Sequence, residues 1–492
     1  MLPMGRHVRF RFMNDNIFHT KAFKENLRHY EEALQNGAPI YLEPEEFTDI
    51  AEYYHLHGDL SKGIEAADKA LAIFPGATEP LAFKARVAIL IDHDADKAMA
   101  IAGTISDKQD LEYIYIMAEI MLADNRANEA DDYLKAQERT ISDEELDDFY
   151  LDVASLFADY EVYDLAAQWL SQSSNTDDNY YLETEGRVMI NDGKFKQAIT
   201  LFNKLIDKDP YSNSYWDCLA TAYYLSNDYS KSRESSDYAL AIEPEDTDAI
   251  LNKANCLMMI GDNKGACECY MHFRQLQPQS EIGDMGLAAI DMNENKLDEA
   301  IGHWKRAAQL CAPRSANMTE IYRNMCLVLA SKGDYDEALN IIQRLEEGAG
   351  GATDDSLILK GYISLLGNNI NKAKAWFSQA LKTTDDEKKD NTLFYIAYCY
   401  FDCNYMEKAH DFFRYLADVA VDKTFTDLWA FLTRTDYALG LQDEFLADLK
   451  KAVSRNPAAT KREFSDYFPH DLPLSDYYKY ATQHPINAAD NK

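Results

Sequence analysis

Glycine and proline are scarce, at 20 and 13 in 492 residues, and an all-β chain of this length would need far more of both at its turns. Cysteine is scarcer still. The eight present are irregularly spaced, which excludes a disulfide framework and fits reduced, buried thiols in a cytosol. No run of about 18 apolar residues occurs, so nothing in the sequence reads as a membrane-spanning helix. Positive charge is in deficit as well: 49 Lys and Arg stand against 84 Asp and Glu, a net charge of −35 that repels nucleic-acid phosphates and anionic lipid headgroups. Such a field keeps a long exposed chain soluble, and the partner it favours is a basic segment of another protein. The opening stretch MLPMGRHVRFRFMNDN has charge but no apolar core, so it does not read as a secretory signal, and Met13 offers a second start. The expectation is a cytoplasmic protein with no nucleic-acid partner and no membrane insertion.

What is present is apolar mass, 47% hydrophobic with 12% aromatic, which excludes disorder and, with so few breakers, favours helices. The chain is long enough for several domains or for one array of repeats. Its prolines choose the array: Pro210, Pro244 and Pro278 are 34 residues apart twice over, a period in the range of stacked repeats. With Asn213 numbered as position 1, Trp216, Leu219, Ala220 and Tyr223 fall at 4, 7, 8 and 11, Asn227 at 15, Ala239 at 27 and Pro244 at 32. One repeat earlier, Leu182, Gly186, Gly193, Ala198, Phe202 and Pro210 fall at 4, 8, 15, 20, 24 and 32. Positions 4, 7, 8 and 11 share one face of a first helix, and 20, 24 and 27 share one face of a second. Where the two helices cross, only Ala, Gly or Ser leaves room, and bulky neighbours fill the space on either side. Proline at 32 lacks the N–H a continuing helix would need, so it ends the second helix.

The pattern resembles the tetratricopeptide repeat family, whose consensus places W-x2-L-G-x2-Y, then Ala, Phe, Ala and Pro at these offsets. Position 8 runs Ala51, Ala85, Ala118, Ala154, Gly186, Ala220, Ala254, Ala288, Cys326, Gly361 and Ala397. Position 20 runs Gly63, Ala98, Ala130, Ala166, Ala198, Ser232, Ala266, Ala300, Ala338, Ala373 and Ala409. A twelfth, degenerate repeat has Trp429 at 4, Gly440 at 15 and Pro457 at 32, but Thr433 at 8 and Phe445 at 20, which predicts looser packing of the last pair. The resemblance implies an all-α, right-handed α-α superhelical solenoid of about twelve helix-turn-helix repeats. Four segments follow: 1–43 with a capping helix over 21–35, 44–348 as repeats 1 to 9, 349–457 as repeats 10 to 12 beyond a Gly-rich joint, and 458–492 with capping helices over 460–468 and 475–483. Caps are needed because an unstacked terminal repeat would expose its apolar face.

Catalytic signals are poor. The glycine-rich GAGGAT at 348–353 lacks the Lys-Ser/Thr of a phosphate loop and follows a helix rather than a strand. His55 and His57 point apart on one helix; Cys399 with Cys403 and Cys267 with Cys269 have no His in register, so buried small apolar residues are the better reading. Acidic runs such as ISDEELDD at 141–148 suit the first turn of a helix. No catalytic residue, metal site or cofactor is implied.

Left over is a second stripe on each first helix, at positions 2, 5, 9 and 12 with 6 beside it, which the resemblance places on a concave groove holding a partner's peptide or helix. In repeats 7 to 9 it holds Asn255, Met258, Met285, Met292 and Arg323, with Asn252 and Asn324 at position 6. In repeats 10 and 11 it holds Tyr362, Phe394, Tyr398 and Phe401, with Tyr395 at position 6. Amides can bond an extended backbone, methionine adapts to varied apolar groups, and aromatics offer contact area at little entropy cost. The family's Lys/Asn/Arg clamp for a terminal carboxylate is not reproduced: its Lys offsets hold Asp217, Thr221, Leu251 and Ile282. The expected function is a non-enzymatic scaffold binding a protein or peptide. A ligand-sensing or catalytic protein using Glu52, His55 and Arg86 of the N-terminal repeats is the alternative, and self-assembly through the cap helices a third.

Overall fold

The hairpins are made by the residue at position 15. In the computed structural model, which describes residues 17–18, 20–92, 94–311, 316–419 and 425–486, this residue takes a left-handed conformation in every repeat but the second. Gly58, Asn125, Glu161, Gly193, Asn227, Gly261, Asn295, Gly333, Asn368, Asn404 and Gly440 all have φ between 56° and 85°. Glycine and asparagine visit this region at little steric penalty, so they dominate the series. The residue after it turns its N–H back to the carbonyl at position 11, as in Asp59 to Tyr54 and Asp262 to Leu257 at 2.8 Å and Asp228 to Tyr223 at 2.9 Å. That bond satisfies a carbonyl the helix end would otherwise leave orphaned. The same residue often starts the second helix: side chains of Asp59, Asp228, Asp262 and Asn369 accept the backbone N–H three residues on.

Repeat 2 is the exception for a countable reason. Ala85 and Ala98 are thirteen residues apart where other repeats have twelve, so an extra residue enters the turn and Asp94 caps the next helix instead. Met13 and the other residues before 17 lie outside the described set.

Among the described residues every regular element is helical, and twelve hairpins follow one another from Pro44–Leu56 with Leu60–Ile73 to Leu428–Leu439 with Gln442–Arg455. The crossings are as close as the small residues require. A Cβ on Gly186 would lie 2.5 Å from the Phe202 ring, and one on Gly63 would lie 2.7 Å from the Ala51 carbonyl oxygen. Ser232 at position 20 donates to the Ala220 carbonyl at 2.7 Å, so a hydroxyl is accepted there because it finds a partner. Each large residue buried beside a crossing, such as Phe202, Phe413 and Leu449, all fully buried, contributes about 1.5–3 kcal/mol.

The chain forms two compact bodies, Met1–Ile290 and Asp291–Lys492. In the first, Phe23 and Tyr30 of the helix Lys21–Asn36 cap repeat 1 by packing with Phe47, Ile50 and Tyr54. In the second, the helices Pro457–Glu463 and Tyr477–Gln483 follow repeat 12. The looser last pair is not what forms: Thr433 and Phe445 are fully buried. Phe445 joins Phe464, Phe468 and Tyr477 of the cap in one cluster, and Thr433 bonds the Trp429 carbonyl at 2.6 Å. The Gly-rich stretch, inside the second body, ends the helix Tyr335–Ala349 with Gly350 left-handed at φ 82°. The Thr353 side chain then caps Asp354–Leu366.

Candidate interaction surface

Consecutive first helices pack side by side within each body, so their stripe residues form a continuous layer. In the second body the aromatic members divide by depth. Phe394, on the first helix of repeat 11 (Lys389–Asp402), stacks on Phe425 at 4.7 Å and meets Phe413 and Phe431 at 5.9 and 6.2 Å. Phe401 lies 5.2 Å from Phe431. These rings glue repeat 11 to repeat 12. Tyr395 and Tyr398, on the same helix, stay 56% and 40% exposed, and Tyr398 meets the rings of Phe431 at 5.3 Å and Phe401 at 6.3 Å. Tyr362, one repeat back, is half-buried and donates its hydroxyl to Asp402 Oδ2. Burial and the neighbouring carboxylate push the Tyr362 phenol well above its ordinary value, so it remains a donor. Arg323 is exposed, and Asn324 and Met292 half-buried.

In the first body the amides are turned inward. Asn255 is buried and its Oδ1 accepts the Tyr270 hydroxyl at 2.5 Å; Asn252 is buried and donates to Thr221 Oγ1 at 3.4 Å on the preceding first helix. Met285 is fully buried, while Met258 is half-buried. Asn252 thus ties its first helix to the preceding one, Asn255 bonds within its own hairpin, and of the stripe residues named above Tyr395, Tyr398 and Arg323 are the exposed ones.

Position 9 of the first repeats carries a feature the motif search missed. Arg86, 1% exposed, donates through Nε to Glu119 at 2.7 Å and through Nη1 to Glu112 at 2.5 Å, joining repeats 2 and 3. One repeat on, the Tyr115 hydroxyl donates to Asp152 at 2.9 Å, and Arg187 pairs with Asp159 at 2.7 Å. Burial pushes the Glu119 carboxyl up to about 7 although Arg86 opposes it, and burial likewise lifts Asp152 to about 7 against the bond from Tyr115. The signal was present in the alternation Glu52, Arg86, Glu119, Ser155, Arg187 down position 9. Of the alternative's residues, Glu52 is buried and His55 half-buried, and Arg86 is spent on its two carboxylates.

Burial raises the Cys326 and Cys403 thiols to about 12 and Cys399 further, the opposite of an activated thiolate. Among the described residues no cluster of His, Cys, Asp or Glu is arranged to hold a metal ion, and no helix is long and apolar enough to cross a membrane.

Hairpin register and stacked first helices together define a tandem helical repeat protein of the tetratricopeptide pattern. No family model matches the chain. Among solved structures it is similar to the APC/C hetero-tetramer Cut9–Hcn1, at 15% identity over 91% of this chain and 94% of that one, with a TM-score of 0.36. It is also similar to a tetratricopeptide repeat protein from Parabacteroides merdae, at 15% identity over 51% of this chain and 98% of that one, TM-score 0.38. A third match is YrrB, a TPR protein with an unusual peptide-binding site, at 19% identity over 38% of this chain and 93% of that one, TM-score 0.29. The fold assignment rests on the register within this chain, not on these likenesses.

Proposed function

We propose that the protein is a non-enzymatic, cytoplasmic interaction scaffold that binds a peptide or helical segment of a partner protein along its first-helix layer. The observation that carries this reading is the pair Tyr395 and Tyr398, large amphipathic rings left 56% and 40% exposed on a stripe whose other aromatics are half-buried. Tyrosines of this kind supply contact area with few rotamers to freeze, which is why they recur at binding hot spots. Phe394 lies against Tyr395 at 6.1 Å and Phe401 against Tyr398 at 6.3 Å. Within the second body Met292, Arg323 and Asn324 extend the contact; within the first, Asn252 ties its first helix to the preceding one, Asn255 and Met285 are buried, and Met258 is half-buried.

The test is affinity capture from the native cytosol with mass spectrometry, comparing the native chain with a Tyr395→Ala/Tyr398→Ala double variant. Loss of a specific partner is expected, with circular dichroism and melting temperature unchanged. Equal capture by the folded variant overturns the reading. A metabolite, and no protein, raising the melting temperature would instead support the ligand-sensing alternative.

A further inference from the structure

This inference rests on the scaffold reading and specifies the chemistry of the partner group. We infer that Tyr398, Tyr362 and Asp402 form a receptor for one cationic side chain, a lysine or arginine of the bound segment.

Three observations converge. First, Asp402 lies one helical turn beyond Tyr398 on the same first helix, so the carboxylate and the ring share a face. The carboxylate is exposed, and one of its oxygens, Oδ2, is held by the Tyr362 hydroxyl. Among the described residues its other oxygen accepts no hydrogen bond, which leaves an oriented acceptor facing solvent.

Second, the protein uses this combination on its own cations elsewhere. Lys62 sits over the Tyr54 ring at 5.3 Å and pairs with Asp59 at 2.7 Å; Lys231 sits over the Tyr223 ring at 5.2 Å and pairs with Asp228 at 3.2 Å. Ring and carboxylate together fix an ammonium by quadrupole and charge at once. Among the described residues no Lys or Arg of the chain lies over the Tyr398 or Tyr362 ring. A cation of the bound segment would complete the same arrangement here.

Third, the charge nearby is negative. Asp402 and Glu463 both act on Tyr398. Arg462, a cation that also acts on Tyr398, already bonds Asp427 at 3.2 Å and Glu463 at 2.9 Å. With a net charge of −35 over the chain, a basic segment is drawn in by the long-range field and fixed at this point by contact.

The probe is a fluorescein-labelled ten-residue peptide of alternating Lys and Ser, followed by anisotropy at about 150 mM salt with the full chain. Tyr398→Ala and Asp402→Asn should each weaken binding by about three- to tenfold, the range of a partly desolvated cation–π contact. Tyr398→Phe, which keeps the ring, should bind as the native chain does. Asp143→Asn, which removes an equal charge from an exposed site, should change little, and the same peptide with acetylated lysines should bind weakly to all. The inference is overturned if Tyr398→Ala binds as tightly as native, or if Asp143→Asn weakens binding as much as Asp402→Asn, the mark of diffuse attraction. Should the lysine probe fail while the Tyr395→Ala/Tyr398→Ala variant still loses its cytosolic partner, the scaffold reading stands and only the cation receptor falls.

Discussion

Arg86 and Glu119, the position-9 residues of repeats 2 and 3, meet through a 2.7 Å charge-assisted hydrogen bond with both side chains buried. Glu112 takes a second donor of the same guanidinium at 2.5 Å, so two carboxylates share one cation. Arg86 Nη2 is buried with no partner among the described residues. The seam fixes how two first helices sit together, and its balance is delicate.

Removing the cation alone should be severe. Arg86→Met leaves Glu119 buried without its partner, and such broken pairs lose about 3–5 kcal/mol. Urea unfolding at pH 7 should show the unfolding free energy falling by that amount, with a correspondingly lower midpoint. Arg86→Met with Glu119→Met should recover most of the loss, because apolar side chains of similar volume pack without a desolvation penalty; a double variant as weak as the single one would refute this account.

The seam also predicts a direction with pH. Glu119 and Asp152 have folded values near 7, above their ordinary 4.5 and 3.8, so the folded chain holds their protons more tightly than the unfolded chain does. Their contribution is fully present below about pH 4 and is lost as pH rises, levelling off above about 7. Denaturation midpoints measured from pH 5 to 8 should fall less steeply in Glu119→Gln and Asp152→Asn than in the native chain. An unchanged slope in both variants would rule the seam out as its source.

Two glycine substitutions should act with opposite signs. In Gly361→Ala the new methyl runs into the Phe377 ring, closer than van der Waals contact allows, and overpacking of this kind destabilises by about 1–3 kcal/mol. In Gly302→Ala, within the helix Leu297–Leu310, the methyl meets nothing within 4 Å, and the gain in helix propensity should stabilise by about 0.5–1 kcal/mol. Melting temperatures of the pair check both at once.

Asn255→Ala should report on folding rather than on contact with a partner. It removes the acceptor of the buried Tyr270 hydroxyl, and an unsatisfied buried hydroxyl costs about 1–3 kcal/mol. Asn255→Ala with Tyr270→Phe should be less destabilised than the sum of the two single variants, measured by the same urea curves.

Repeats were legible because each hairpin is specified by residues close in sequence. The small residues at 8 and 20, the Gly or Asn at 15 and the Pro at 32 lie within one 34-residue period, and the left-handed turns at Gly193, Asn227 and Gly261 fall where that register places them. Repeat 2 departs by one inserted residue, visible in the interval from Ala85 to Ala98. The aromatic stripe of repeats 10 and 11 was legible as a stripe, but not its depth. The Arg86 seam was hidden because its partners Glu112 and Glu119 come from the next repeat, so Arg86 reads instead as a candidate ligand-site residue beside Glu52 and His55.

By itself, the sequence determined that this chain is a run of helical hairpins, since period, turn residues and crossing residues are local and leave one way for two helices to meet. Which residues of that second stripe stay exposed was decided by tertiary structure. Asn255, Arg86 and Tyr398 all hold position 9, yet the first two are 3% and 1% exposed and the third 40%. Exposure at that offset depends on what the neighbouring helices bring against it. Tyr270 covers Asn255, Glu119 and Glu112 enclose Arg86, and Phe431 supports Tyr398 from one side only.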